Sequence, residues 1–200
     1  MDLRDELLDV RRSAYARLRG GYPIIMAGTV FWLALAVMSQ FMQPVPLLQA
    51  AFGLSGMIFP VALVFAWLAR IPFMKDRTVL SPLLVPTFIA MLLFWPMLFI
   101  ATAEAGAGVI MSILAIGLSL HWPVIGWTYG RTALFCAHAI IRAGLVFWIY
   151  YAFPGEQMLY IPLAVAACYA VTALIVYVDA SRLARRMGML PARQAQAMAV

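Results

Sequence analysis

Six apolar runs of about 20 residues, separated by short turns, leave this chain few ways to fold. They lie at Ile24 to Phe41, Leu47 to Ala69, Leu80 to Thr102, Val109 to Tyr129, Thr132 to Phe153 and Ile161 to Val178. Segments this apolar are solvated by lipid, where every backbone N–H and C=O must find a partner within the protein, so only helices and closed barrels persist. The runs are continuous and lack the polar–apolar alternation of a barrel strand. The expected fold class is therefore all-α, an integral membrane bundle of six transmembrane helices.

The breaks are short and rich in turn residues: Gln43-Pro44-Val45-Pro46, residues 70–79, Gly106-Ala107-Gly108, Gly130 and Pro154-Gly155-Glu156. Consecutive spans should be antiparallel neighbours. Composition excludes a water-soluble body of this size. With 66% hydrophobic residues, 11% charged residues and a mean hydropathy of +0.95, there is too little polar surface to cover one.

A net charge of +6 invites a nucleic-acid partner, but the positions of the cations explain it as membrane orientation. With the N terminus in the cytoplasm, Arg4, Arg11, Arg12, Arg17, Arg19, Arg70, Lys75, Arg77, Arg131, Arg182, Arg185, Arg186 and Arg193 all fall on that side. No Lys or Arg is left in the three opposite connections, which hold Glu104 and Glu156. Both termini are thus expected in the cytoplasm, with the chain multi-pass in the cell's inner membrane. It reads as one membrane domain: residues 1–20 form an N-terminal helix, 24–178 the bundle and 179–200 a cytoplasmic tail.

The N-terminal segment is too long and too acidic for a signal peptide, carrying Asp2, Asp5, Glu6 and Asp9, and is expected to be retained. Leu3, Leu7, Val10, Ala14 and Leu18 recur at helical spacing. Such a helix either lies amphipathically in the interface or packs on the cytoplasmic end of the bundle. Cys136 and Cys168 fall inside separate spans and read as packing residues rather than a disulfide.

One cation is not used for orientation. Arg142 lies near the middle of the fifth run, and an arginine at that depth is costly enough to mark a functional site by default. His138 stands one turn away on the same face, with Arg131 seven residues before it. His121 precedes the turn at Gly130 by about as many residues as His138 follows it, which puts both imidazoles roughly 12 to 14 Å from that turn. His121-Trp122-Pro123 and Gly126-Trp127-Thr128-Tyr129 complete the richest stretch of side-chain chemistry.

No acidic residue shares the depth of Arg142. Its protonated guanidinium must face a carboxylate brought in from elsewhere, carbonyls, hydroxyls such as Ser119 or Tyr169, water or a bound anion. Glu104 is the nearest candidate counter-charge. Phe59-Pro60, Trp95-Pro96 and Trp122-Pro123 each place a proline inside a span, and Pro60, Pro96 and Pro123 are expected to kink their helices and free a carbonyl one turn earlier.

The residues Leu3-Arg4 with Glu6-Leu7, Phe31-Trp32, Gly56 with Phe59-Pro60, Phe94-Trp95-Pro96, and His121 with Pro123 and Gly126-Trp127-Thr128-Tyr129 form a pattern. It resembles that of an uncharacterised bacterial family of small polytopic membrane proteins with no assigned activity. The resemblance implies a compact helical membrane protein and no particular substrate.

Two functional classes follow. The first is a channel or transporter component for a small anion or weak acid, acting as a homo-oligomer, with Arg142, His138, His121, Tyr129 and Trp122 as ligand-binding candidates. The alternative is a membrane protein that binds a ligand, lipid, haem or metal, or a membrane-embedded enzyme, built on His121, His138 and Arg142. A metal would need more ligands than two histidines, and none is assigned. Zinc-protease, phosphate-loop, nucleophile-elbow and carboxylate-dyad motifs are absent, so an enzymatic role has no motif to rest on.

Overall fold

The structure is a computed structural model that describes residues 2–189, so the distal part of the expected tail, with Arg193, lies outside the described residues. Among those residues all regular structure is helical. The helices are α1 (Leu3–Arg17), α2 (Tyr22–Met38), α3 (Pro44–Ser55), α4 (Ile58–Leu68), α5 (Leu84–Leu92), α6 (Phe94–Glu104), α7 (Ala107–Gly117), α8 (Trp122–Thr128), α9 (Thr132–Ala152) and α10 (Gln157–Arg186). Five segments are long and apolar enough to cross a membrane: Arg19–Met38, Ser81–Glu104, Ala107–Thr128, Thr132–Ala152 and Gln157–Arg186. The pair α3 and α4, bent by 52°, gives a sixth if taken as one broken span.

Proline chemistry accounts for the broken segments. Pro60 is the third residue of α4, Pro96 the third of α6 and Pro123 the second of α8. A proline is tolerated in a first turn because the N–H it lacks would have no intrahelical partner there. The helix before it ends within about a turn, at Gly56–Met57, Leu93 and 118–121.

At 30 residues, α10 would measure about 45 Å, longer than the roughly 30 Å hydrocarbon core. It continues as helix well past Val178, where a tail was expected to begin. This helix is the spine of the bundle, packing along α2 and against α9, α7 and α1. Close approach to α2 rests on Gly28, where an added Cβ would stand 2.7 Å from the ring of Tyr169. In contrast, α5 buries no residue and α6 buries only Phe94 and Leu98, so that segment is peripheral.

The cationic connections gather at one end. Arg17 makes a two-pronged contact with Asp76, at 2.6 and 3.1 Å, tying α1 to the α4–α5 connection. Arg11 donates to the Trp127 carbonyl at 2.6 Å and lies over the Trp127 ring. Arg131, before α9, bonds Asp179 of α10 at 2.6 Å and covers Tyr15. Burial, and then the carboxylate of Asp179, push the Tyr15 phenol above its ordinary pKa, so it remains neutral. Of the two N-terminal arrangements, the structure shows α1 docked by its C-terminal half, where Ala14, Tyr15 and Ala16 are buried, while Leu3 stays exposed.

The chain turns from α1 into α2 through three consecutive left-handed residues, Arg19, Gly20 and Gly21. At Gly20 a Cβ would meet Val176 at 2.4 Å and Tyr15 at 2.5 Å. Gly20→Ala should therefore cost roughly 1–3 kcal/mol through overpacking in a strained conformation. Gly53→Ala, in the last turn of α3 with nothing within 4 Å, should add up to about 1 kcal/mol of helix stability. Thermal unfolding of both variants in detergent checks the opposite signs.

Candidate functional site

The buried face of α9 is formed by Phe135, His138, Arg142, Val146 and Ile149, spaced three or four residues apart. Arg142 lies ten residues past the start of a 21-residue helix, about 15 Å along its axis and close to the bilayer midplane. Its side chain is 0% exposed. Lipid and solvent are both excluded, so neighbouring groups must supply its polar environment.

Three other segments supply it. Nη1 donates to the Tyr169 hydroxyl of α10 at 2.9 Å, and Nη2 donates to the Ala115 carbonyl of α7. That carbonyl is available because α7 ends just beyond it. Ser119 N–H, which would close the regular helical bond to Ala115, bonds Ile116 O at 2.8 Å instead. The guanidinium also lies over the rings of Trp32, at 5.4 Å, and Tyr169, at 5.1 Å.

Two acceptor oxygens serve a group with five N–H donors, and Nε–H has no partner among the described residues. The Nε1–H of Trp32 is buried and unpartnered as well. Among the described residues no carboxylate is paired with the charge. Glu104 is exposed at the end of α6, and the two ion pairs among the described residues are Arg17–Asp76 and Arg131–Asp179. The counter-charge expected of Glu104 is thus not what Arg142 meets, because the third segment ends at the surface and its helix does not dip inward.

The Thr172 hydroxyl lies 2.8 Å from both His138 Nδ1 and Cys168 O, and which of the two takes its proton follows from the imidazole tautomer. His138 Nε2 is buried and without a partner among the described residues. One turn of α9 therefore presents two unmatched polar atoms, His138 Nε2 and Arg142 Nε.

Trp122 connects the two histidines. Its ring packs against His121 at 4.9 Å and His138 at 5.5 Å, and its Nε1–H donates to Tyr169 Oη at 3.3 Å. The outer face of His121 meets Phe88. Among the described residues no three His, Cys, Asp or Glu side chains form a group that could hold a metal ion.

Arg142, His138 and Trp122 are thus brought together, and His121 lies one ring further out. Tyr129 belongs elsewhere, half-buried at the cationic end between Tyr15 and Phe135. Ser119, proposed with Tyr169 as a hydroxyl partner, bonds Ile116 O. Trp32, Thr172 and the Ala115 carbonyl were not foreseen. A signal for Thr172 was present, since Tyr169 and Thr172 lie three apart on one face of the last span and can match the pair His138 and Arg142 on its neighbour.

Tyr169→Phe removes the acceptor shared by Arg142 and Trp122 and should cost about 2 kcal/mol, as expected for a hydrogen bond to a buried charge. Gly28→Ala should displace the same ring and cost a similar amount, so the double variant should lose less than the sum of the two. Additive losses in detergent unfolding would show that Gly28 does not act through Tyr169.

No curated protein and no solved structure matches the chain. Residues 7–179 match DUF7010, a family of unknown function, and the chain belongs to that family.

Proposed function

We propose that this membrane protein binds a small anion or weak acid at Arg142 and serves as a channel or transporter component for it. The observation that carries the reading is the fully buried guanidinium, at mid-membrane, with neither a carboxylate partner nor an acceptor for Nε–H among the described residues. Intramembrane cations without structural counter-ions mark solute pathways and ligand sites. An anion would supply the missing charge and accept from Arg142 Nε–H and Trp32 Nε1–H.

His138 fits a weak acid better than a permanent anion. With the imidazole proton on Nδ1, its unpartnered Nε2 can accept a hydrogen bond from an un-ionised acid while Arg142 donates to the carbonyl oxygen of the same group. The site is closed, so entry requires helix movement, and the breaks at 56–57, 93 and 118–121 are where the spans can bend. The cationic end faces the cytoplasm, by the positive-inside rule, in the inner membrane.

Purified protein in detergent should show a saturable rise in unfolding temperature with one or more of formate, acetate, nitrate and chloride at fixed ionic strength. At a ligand concentration of about 100 times Kd the stabilisation is about 2.7 kcal/mol. Arg142→Gln should keep the helical circular dichroism spectrum and lose the response. Identical responses in both proteins, or none in the wild type, would sink the assignment. Proteoliposome uptake of the responding acid, measured with an internal pH dye, then separates transport from binding alone.

A further inference from the structure

At the cationic end of the molecule a groove of about 700 Å³ opens between the end of α4 and the chain that follows it. Apolar side chains wall it, among them Leu63, Trp67, Leu68 and Phe73, and Arg70 and Lys75 stand among its lining residues. Trp67 is 76% exposed, as is typical of an indole placed at the boundary between lipid tails and headgroups.

Arg70 occupies a conformation that normally selects glycine. Its N–H bonds Trp67 O at 3.1 Å and the next N–H, of Ile71, bonds Ala66 O at 2.9 Å, which together form a Schellman cap on α4. The residue at the turn of such a cap takes a left-handed backbone, and Arg70 has φ +52°. A side chain there is strained, and glycine would relieve it. The arginine therefore stands at this turn against a backbone cost.

The surrounding charges are unbalanced. Asp76 is the acidic residue of this connection, and both of its oxygens are engaged by Arg17. Arg70, Lys75 and Arg77 make no ion pair among the described residues, and all three are exposed. Two of these cations, Arg70 and Lys75, line the groove at the end of the apolar helix α4, and Arg77 follows two residues on.

We propose that this groove is a specific site for an anionic phospholipid, with the phosphate held by Arg70 and Lys75 and the upper acyl chain lying against Leu63, Trp67 and Phe73. The proposal is independent of the assignment made for Arg142. Charge complementarity selects an anionic headgroup, and the apolar walls select a lipid over free phosphate.

Native mass spectrometry of the full chain, released from micelles containing phosphatidylglycerol and phosphatidylcholine in equal amounts, tests it. The wild type should retain phosphatidylglycerol preferentially, and the Arg70→Gln/Lys75→Gln double variant should retain it roughly tenfold less. The Arg182→Gln/Arg185→Gln double variant removes the same charge from α10 and should bind as the wild type does. Equal losses in the two double variants would reduce the effect to a diffuse surface field and overturn the site. Displacement of the lipid by millimolar inorganic phosphate would overturn the choice of occupant.

Arg70→Gly supplies a second readout. It should raise the unfolding temperature in lipid-free detergent, by relieving the left-handed strain, while lowering phosphatidylglycerol retention. A fall in both quantities would show that Arg70 is structural.

Discussion

A guanidinium at mid-bilayer must carry its polar surroundings with it, and the arrangement of α7, α9 and α10 follows from that requirement. Arg142 stays charged, and neither lipid nor water reaches it, so the protein spends a tyrosine hydroxyl, a released helix carbonyl and two aromatic faces on it. Each of those groups is tied to a further constraint. Tyr169 can lie where it does only because Gly28 has no side chain, and Ala115 is free to accept only because α7 stops two residues later. Substitutions at Gly28 or in the 118–121 break thus act on Arg142 without touching it.

The polar groups also set the register of the two longest helices. From Arg131, the residue before α9, to His138 is seven residues forward, and their partners Asp179 and Thr172 are seven residues apart in the opposite direction on α10. Four residues further, at Arg142, the partner is Tyr169, three residues back. Apolar packing in lipid discriminates weakly between registers, because a slipped helix exchanges one hydrocarbon contact for another. A ladder of three polar contacts does discriminate, since a shift of one turn would strand a buried cation and a buried imidazole together.

The two ends of the ladder differ in kind. Arg131–Asp179 is partly exposed at the cationic end and joins a cluster that also docks α1 and the α4–α5 connection, where solvent screening limits the worth of any single pair. Arg142 and His138 are buried away from such screening, and each keeps a polar atom without a partner among the described residues. The cationic end holds segments together, and the mid-membrane cluster fixes the pairing of α9 with α10.

The linear order of residues was enough to settle the all-helical class, the presence of several helices long and apolar enough to cross a membrane, and the isolation of Arg142 from any acid of its own depth in the sequence. These depend on hydropathy, local backbone chemistry and distance along a helix, all of which are one-dimensional. Only the tertiary structure decided that α10 runs on to Arg186, that Glu104 is exposed at the end of α6, that Tyr129 sits at the cationic end, and that Tyr169, Ala115, Trp32 and Thr172 surround Arg142 and His138. Those outcomes depend on helix rotation and register. In a span whose lipid-facing and protein-facing sides are equally apolar, the sequence pattern leaves both undetermined until the polar side chains find one another.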